Sequence, residues 1–468
     1  MQAKVIFVLI LLVYMSVSCS SEDNNKNPDY SKEFNDTTFA CIFEKSAPQN
    51  LEINEGLISQ HAQTIRVIRG GECVAIVKLG EPVTVAQAER EEPWGYFQNP
   101  VIYRGDNTNN LIVKWAMQAD SHLVYGQDSN GRLMSTDEGE TWVPLDADYY
   151  NKKRDRVELK CGDVLQVKNP SSKNVRDYDF FPKSVNENPI GDQKYDFYFE
   201  SELPEELQGA YLDYWHQESG DTTRIHAKLK DSELLRYSID GIMPIVWWGN
   251  IKELEDGSLL TGVYGGYYLN PNGNVLRGGI SFYKSSDSGR NWDLIGRIPY
   301  QKSDNDDPNT YLFDGSDGFN EPTFEILKDG TYICVMRNSS WSLPMVKTFS
   351  KDKGKTWSTP VPITPSGVKP RLMLMNNGVL VLAAGRPGIQ LRFNLNGDGI
   401  AWTEPIDMLP FIDSEGEIKS TRETCGYADM LPFNNDSFYI VYSDFKSKDS
   451  NGDERKSILF RKVTVKVK

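Results

Sequence analysis

The chain has 468 residues, with 51 Lys or Arg against 66 Asp or Glu and a formal net charge of −15. That balance excludes a nucleic-acid binder, which needs a basic footprint, and makes any cluster of arginines a purposeful device for an anionic ligand. Hydrophobic residues make up 39% and aromatic residues 11%, enough for a large core and suited to β-structure and sugar-stacking surfaces.

The first element is a targeting segment. Lys4 precedes the apolar run Val5 to Val13, which is too short for a stable membrane anchor and has the shape of a secretory core. It ends in Ser16-Val17-Ser18-Cys19, similar to a bacterial lipobox, and Ser20-Ser21-Glu22-Asp23 resembles the export signal of surface lipoproteins in Bacteroidetes-like bacteria. We therefore expect 1–19 to be a lipoprotein signal peptide and Cys19 to carry the lipid. The protein would sit on the bacterial outer membrane, periplasmic or surface-exposed, without spanning it. Residues 20–36 read as a flexible tether. Residues 37–90 are β-rich and lead into, or close, the main domain over 91–468.

That domain has almost no helical periodicity. Short strands rich in Val, Ile, Tyr and Trp alternate with Asn-Gly, Asp-Gly and Gly-Gly turns. An octapeptide S-x-D-x-G-x-T-W spans Ser135–Trp142 and Ser350–Trp357. Ser285–Trp292 differs from it at Asn291, and a weaker copy keeps Asp398, Gly399 and Trp402. Asp and Gly suit a tight turn, and the Trp ring can pack beneath it. A second phrase, strand, Asp-Gly or Asn-Gly turn, strand, recurs at 251–260, 324–333 and 372–380. The two phrases together make a four-stranded unit. Units are expected near 94–142, 244–292, 319–357, 370–402 and 424–466, with 150–235 supplying another.

The octapeptides resemble the Asp boxes of the sialidase (neuraminidase) superfamily. This resemblance implies an all-β fold, a six-bladed β-propeller of four-stranded antiparallel blades. It becomes specific at three phrases. Asn320-Glu321-Pro322-Thr323, with Arg337 ending the next strand, is similar to the phrase in which a Glu polarises the nucleophile and an Arg grips a substrate carboxylate. Gly426-Tyr427-Ala428-Asp429 resembles the phrase of the catalytic Tyr, and Gly385-Arg386-Pro387-Gly388 that of another clamp Arg, with Arg392 and Arg371 as alternatives. The resemblance thus implies Tyr427 as nucleophile, Glu321 as its base, and Arg337 and Arg386 as anion clamp. A Tyr suits a sugar with a carboxylate at the anomeric carbon, because a carboxylate nucleophile would be repelled. The loop Met117 to His122 offers Asp120 as general acid, with His122 competing.

One position departs from the family. Where an Arg would complete the triad, Phe97-Gln98-Asn99-Pro100 places Gln98, a hydrogen-bond donor without charge. Loss of a bidentate charged contact there costs about 2–5 kcal/mol when its partner is buried. Three functions follow: an exo-acting sialidase-like glycoside hydrolase, a hydrolase or lyase on a uronate-containing glycan, and a glycan-binding lipoprotein without catalysis.

Softer features remain. Trp247, Trp248, Tyr264, Tyr267 and Tyr268 could form a stacking platform or lie in the core. No C-x-x-C occurs, so no zinc site and no cofactor are expected, although Asp304, Asp306 and Asp307 could bind calcium. Cys41 and Cys73 could pair, and a monomer is expected.

Overall fold

The computed structural model describes residues 61–105, 110–121, 123–124, 129–145, 157–168, 172–190, 193–243, 247–300, 318–338, 343–365, 367–386, 388–409 and 426–468. For 40–43, 188–190, 193 and 247–248 it describes the backbone alone. The described chain is all-β, and its helical turns are three single 3-10 turns.

Thirteen strands place the pocket and its closure. In chain order they are β1 (Glu72–Leu79), β2 (Val83–Gln87), β3 (Gln98–Arg104), β4 (Leu111–Ala116), β5 (Trp247–Glu253), β6 (Leu259–Tyr264) and β7 (Phe319–Ile326). They continue with β8 (Tyr332–Asn338), β9 (Val368–Leu374), β10 (Leu380–Gly385), β11 (Ala428–Pro432), β12 (Ser437–Lys448) and β13 (Glu454–Val467).

Strands β3, β7 and β9 each open a four-stranded antiparallel meander. Strand β5 opens another within an eight-stranded sheet, and β11 opens the three-stranded run β11–β12–β13, to which β1 and β2 add from the other edge. The opening strands touch in order: β5 contacts β7, β7 contacts β9, β9 contacts β11, and β11 returns to β3. Side chains tie the series together. The Asn250 side chain bonds both the amide and the carbonyl of Phe324, at 3.0 Å each. Thr323 Oγ1 accepts from Leu372 N at 3.1 Å, and Asp429 Oδ2 accepts from Ile102 N at 3.1 Å.

The core is correspondingly layered between neighbouring sheets. One apolar cluster joins the last sheet to the β9 meander, through Phe438, Ile440 and Val463 against Val381, Leu391 and Phe393. Another joins it to the β3 meander through Val441, Ile458 and Phe460 against Val113 and Trp115. Strand β10 is buried along its whole length, which explains its unbroken apolar sequence LVLAAG.

The three close copies of the octapeptide turn share one hydrogen-bond pattern, and the divergent copy keeps two of its three bonds. In the first, Gly139 N donates to Ser135 Oγ at 2.8 Å, Thr141 N to Asp137 Oδ1 at 2.9 Å, and Trp142 Nε1 to Gly139 O at 3.1 Å. In the divergent copy Asn394 Oδ1 takes the serine's part, accepting from Gly399 N at 3.0 Å, and Trp402 Nε1 still donates to Gly399 O at 2.9 Å.

The expectation of equal four-stranded units is corrected here. Among the described residues the sheets have four, four, four, five, seven and eight strands. Residues 157–243 divide between two sheets: five strands of 173–243 form an antiparallel sheet of their own, and the others join the β5 meander. Thr222–Lys230 pairs in parallel with Asn291–Ile298, at Lys228↔Asn291, Leu229↔Trp292 and Lys230↔Asp293, and so extends the β5 meander to eight strands. At the other end of the chain, β1 and β2 both pair with β13. Cys73 carries a free thiol, its Sγ 3.4 Å from Ala75 O. Cys19 and the Asp304, Asp306 and Asp307 loop lie outside the described residues, and the Cys41 side chain is likewise not described.

Candidate active site

The pocket is built by a repeated kink. β3 shifts register against β4 between Gln98 and Val101, β7 against β8 between Asn320 and Thr323, and β9 against β10 between Val368 and Arg371. A bulge leaves one residue unpaired and re-aims it. That residue is Asn99, Glu321 and Lys369, each followed by Pro and each at left-handed φ, of 51°, 49° and 43°. Proline donates nothing to the ladder and so sits easily at a bulge. Arg386, also before a proline, has φ 46°. A non-glycine residue in this region costs about 1–3 kcal/mol, strain that collects at functional sites. All four residues line one cavity of about 560 Å³.

Charge is concentrated there. Glu321 Oε2 accepts from Arg337 Nη1 at 3.3 Å and from Lys369 N at 2.7 Å. Lys369 Nζ donates to Asn99 Oδ1 and lies 5.2 Å from the Tyr427 ring. Arg386 Nη2 donates to the Tyr427 hydroxyl at 3.0 Å, and its guanidinium lies over the rings of Trp94 and Tyr427 at 4.8 and 4.9 Å. Trp94 Nε1 in turn donates to Asp120 Oδ2 at 3.2 Å. Tyr427 is held by its backbone, its carbonyl accepting from Ser443 N at 3.1 Å. Gly385 permits this placement, since a Cβ there would lie 1.8 Å from Gly426 O.

The opposite wall is aromatic. Tyr264, Tyr237 and Tyr267 line it, the last two edge-to-face at 5.5 Å. Burial pushes the Tyr264 phenol well above its ordinary range, and the charges of Glu321 and Tyr427 act in the same direction, so it remains a neutral donor. Burial also works to raise Glu321, but Arg337, Lys369 and Arg386 outweigh it and hold the carboxyl below its ordinary value. Glu321 is therefore ionised at neutral pH, facing three cations.

Of the residues singled out in the sequence, Glu321, Arg337, Arg386, Tyr427 and Asp120 share this cavity. Gln98 does not. It is fully buried behind the wall, because the bulge turns the next residue, Asn99, into the pocket instead. Lys369 was missed, yet Val368-Lys369-Pro370 repeats the form of Gln98-Asn99-Pro100 and Asn320-Glu321-Pro322. Arg371 and Arg392 serve elsewhere: Arg371 pairs with Asp429 at 3.2 Å, and Arg392 donates to Thr403 O at 3.3 Å. Tyr268 is turned away and donates to Asp231 Oδ2 at 2.8 Å. His122 and the Trp247 and Trp248 side chains lie outside the described residues. No grouping of His, Cys, Asp and Glu suited to a metal occurs among the described residues.

No protein-family model matches the chain, and no curated protein does. Solved structures do resemble it. A protein of unknown function from Dyadobacter fermentans superposes with a TM-score of 0.50 at 15% identity, over 83% of this chain and 99% of its own. The alpha-L-arabinanase of Penicillium chrysogenum, complexed with arabinobiose, gives 0.43 at 12% identity, over 81% and 98%. A mutant NanB sialidase from Streptococcus pneumoniae gives 0.42 at 12% identity, over 81% of this chain and 70% of its own. At such identities the likeness concerns the fold alone.

Proposed function

We propose that the protein is a glycan-cleaving enzyme that removes a terminal, carboxylate-bearing sugar, with sialic acid as the first candidate. The scaffold would be a six-bladed propeller whose unequal sheets share strands at their edges, tethered to the outer membrane through Cys19. The observation that carries this reading is convergence. Three cations, one ionised carboxylate and one tyrosine, from five separate strands or their ends, meet in a single cavity.

Each group has a role in that reading. Arg337 and Arg386 bind the substrate carboxylate, the guanidinium forks matching its two oxygens. Lys369 adds the third positive charge that Gln98 does not provide. Tyr427 attacks the anomeric carbon as a neutral nucleophile, and Arg386 at its hydroxyl favours the phenolate as it develops. Glu321, already ionised, accepts the phenolic proton as the Tyr427 oxygen bonds the anomeric carbon. Asp120, exposed at the rim and oriented by Trp94, protonates the leaving oxygen. Tyr237, Tyr264 and Tyr267 offer the sugar an apolar wall with hydroxyl edges.

Hydrolysis of a fluorogenic sialoside, with Tyr427→Phe as control, tests it. Turnover abolished in the variant is expected; turnover unchanged in the variant rules out Tyr427 as nucleophile. The compact ammonium of Lys369, in place of a third guanidinium fork, favours a second reading, a uronate-containing glycan. Turnover of uronosides in place of sialosides would select it, and an unsaturated-uronate absorbance would identify elimination.

A further inference from the structure

A cationic groove lies apart from the pocket and shares no lining residue with it. Its volume is about 510 Å³, and its wall is formed chiefly by Arg224, His226, Lys228, Lys230, Arg290 and Asn291, with no carboxylate among the described residues that line it. In a chain of net charge −15, four full positive charges around one concavity concentrate a field of the opposite sign to the rest of the molecule.

The strand Thr222–Lys230 makes the stripe by alternation. Ala227 and Leu229 are buried in an apolar cluster, so Arg224, His226, Lys228 and Lys230 share the opposite face. From first to last they span about 20 Å at ordinary strand rise. An octapeptide turn forms the other side. Lys228 N donates to Arg290 O at 2.9 Å, which fixes the turn Ser285–Trp292 against the strand and brings Arg290 beside the stripe. On the neighbouring strand Ala210–Trp215, Tyr211 sits opposite His226, the two rings stacked at 4.9 Å. His226 Nε2 donates to Gln208 O at 2.8 Å, which holds that ring in place.

The counter-charges orient these cations without covering them. Asp213, buried at the foot of Arg224, accepts from its Nε and Nη2 at 2.7 and 2.9 Å, yet the Arg224 side chain stays 60% exposed. Lys228 meets Glu205 at 2.7 Å with both side chains in contact with solvent, a weak pair that a ligand anion readily replaces. Arg290 Nη1 donates only to a carbonyl, that of Asp287, at 3.3 Å. Lys230 is exposed, as is Asp293 opposite it. A positive charge or imidazole at every second residue matches an extended polymer with repeated negative charges, whereas a single small anion would engage one or two of them. The stacked Tyr211 and His226 rings add a flat surface suited to a sugar.

We propose that this groove binds a stretch of acidic polysaccharide, with carboxylate or sulfate on successive sugars, at a place separate from the pocket. The test is calorimetric titration with polygalacturonate and with heparin, and with dextran as the neutral polymer. At least one acidic polymer should bind, more weakly as salt rises, and dextran should not. The triple variant Lys228→Gln, Lys230→Gln, Arg290→Gln should lose at least tenfold in affinity. A control, Lys351→Gln, Lys353→Gln, Lys355→Gln, removes equal charge from another octapeptide turn and should stay within twofold of wild type. Neither variant touches the pocket, so sialoside turnover, where present, should not change, and the binding result stands whether or not sialosides are cleaved. Protection reads the same place without substitution: bound polymer should shield Lys228 and Lys230 from amine acetylation and leave Lys351 reactive. Binding of neither polymer, equal loss in the two triple variants, undiminished binding in the groove variant, unprotected Lys228 and Lys230, or binding to phosphatidylglycerol vesicles alone would overturn the proposal.

Discussion

At the scale of single residues, the pocket turns on one backbone device. Asn99, Glu321, Lys369 and Arg386 stand before prolines at left-handed φ, and all four point into one cavity. Because side chains alternate along a strand, an unpaired residue changes which neighbour faces the pocket. This is why Gln98 was read as the pocket residue and Asn99 was not. Glu321, Arg337, Tyr427, Arg386 and Asp120 were legible because short phrases carry them. Lys369 was hidden because its phrase contains no catalytic-type residue. Its charge predicts its effect. Lys369→Met keeps the chain length and the backbone strain but removes a cation beside Tyr427. We expect kcat/KM for an acidic sugar to fall at least tenfold, or about 1.4 kcal/mol, mostly through KM. Lys369→Arg should restore most of it. A Lys369→Met enzyme with unaltered KM would remove Lys369 from the clamp.

At the scale of elements, the turns were far more legible than the sheets. The Asp and Gly of each octapeptide act within eight residues, so sequence spacing determines them. The parallel pairing of Thr222–Lys230 with Asn291–Ile298 joins residues some sixty positions apart, and no local pattern announces it. The turns also hold neighbouring elements. Lys347, on the strand Met345–Ser350, is buried and donates to Gly399 O at 2.8 Å and Ile400 O at 2.7 Å in the divergent turn. Burial lowers its pKa from 10.5 to about 8, with only Asp398 acting against the shift. The folded protein therefore releases this proton near pH 8, and the unfolded chain keeps it to about 10.5. The unfolded state binds more protons in that window, so stability rises with pH from 8 to 10.5 and the gain is lost as pH falls through 8. The difference is on the order of 3 kcal/mol at most. Urea unfolding at pH 7.5 and 9.5 should show wild type gaining on Lys347→Met. Equal changes in the two proteins would show that the amine titrates normally.

At the scale of the whole molecule, the two ends of the described chain hold each other. β13 is 14 residues long and pairs with β12 along one edge. Its other edge is shared, β2 pairing with Ser457 to Phe460 and β1 with Val463 to Val467. An uncovered edge of that length would offer a row of unpaired amides and carbonyls to other chains. The same closure completes a core, for Val77 and Leu79 of β1 pack with Val463 and Val465 and with Val381 and Phe393 of the neighbouring sheet. Neighbouring residues of β1 separate pairing from packing. Val77 is fully buried and Lys78 is exposed, yet both pair with β13, at Val465 and Thr464. Val77→Asp would bury an uncompensated carboxylate and should cost at least about 4 kcal/mol, because such burial is among the few mechanisms of large destabilisation. Lys78→Asp should change stability by no more than about 0.5 kcal/mol. If chain closure is integral to folding, Val77→Asp lowers the midpoint of a single transition that includes the pocket, and loss of Tyr427 environment tracks loss of β-structure. If β1 is only an appendage, Val77→Asp releases it in a separate early step and leaves the main transition where it was. The continuous core from β1 through β13 to β10 argues for the first outcome, because no apolar boundary separates the closing strands from the sheets they close.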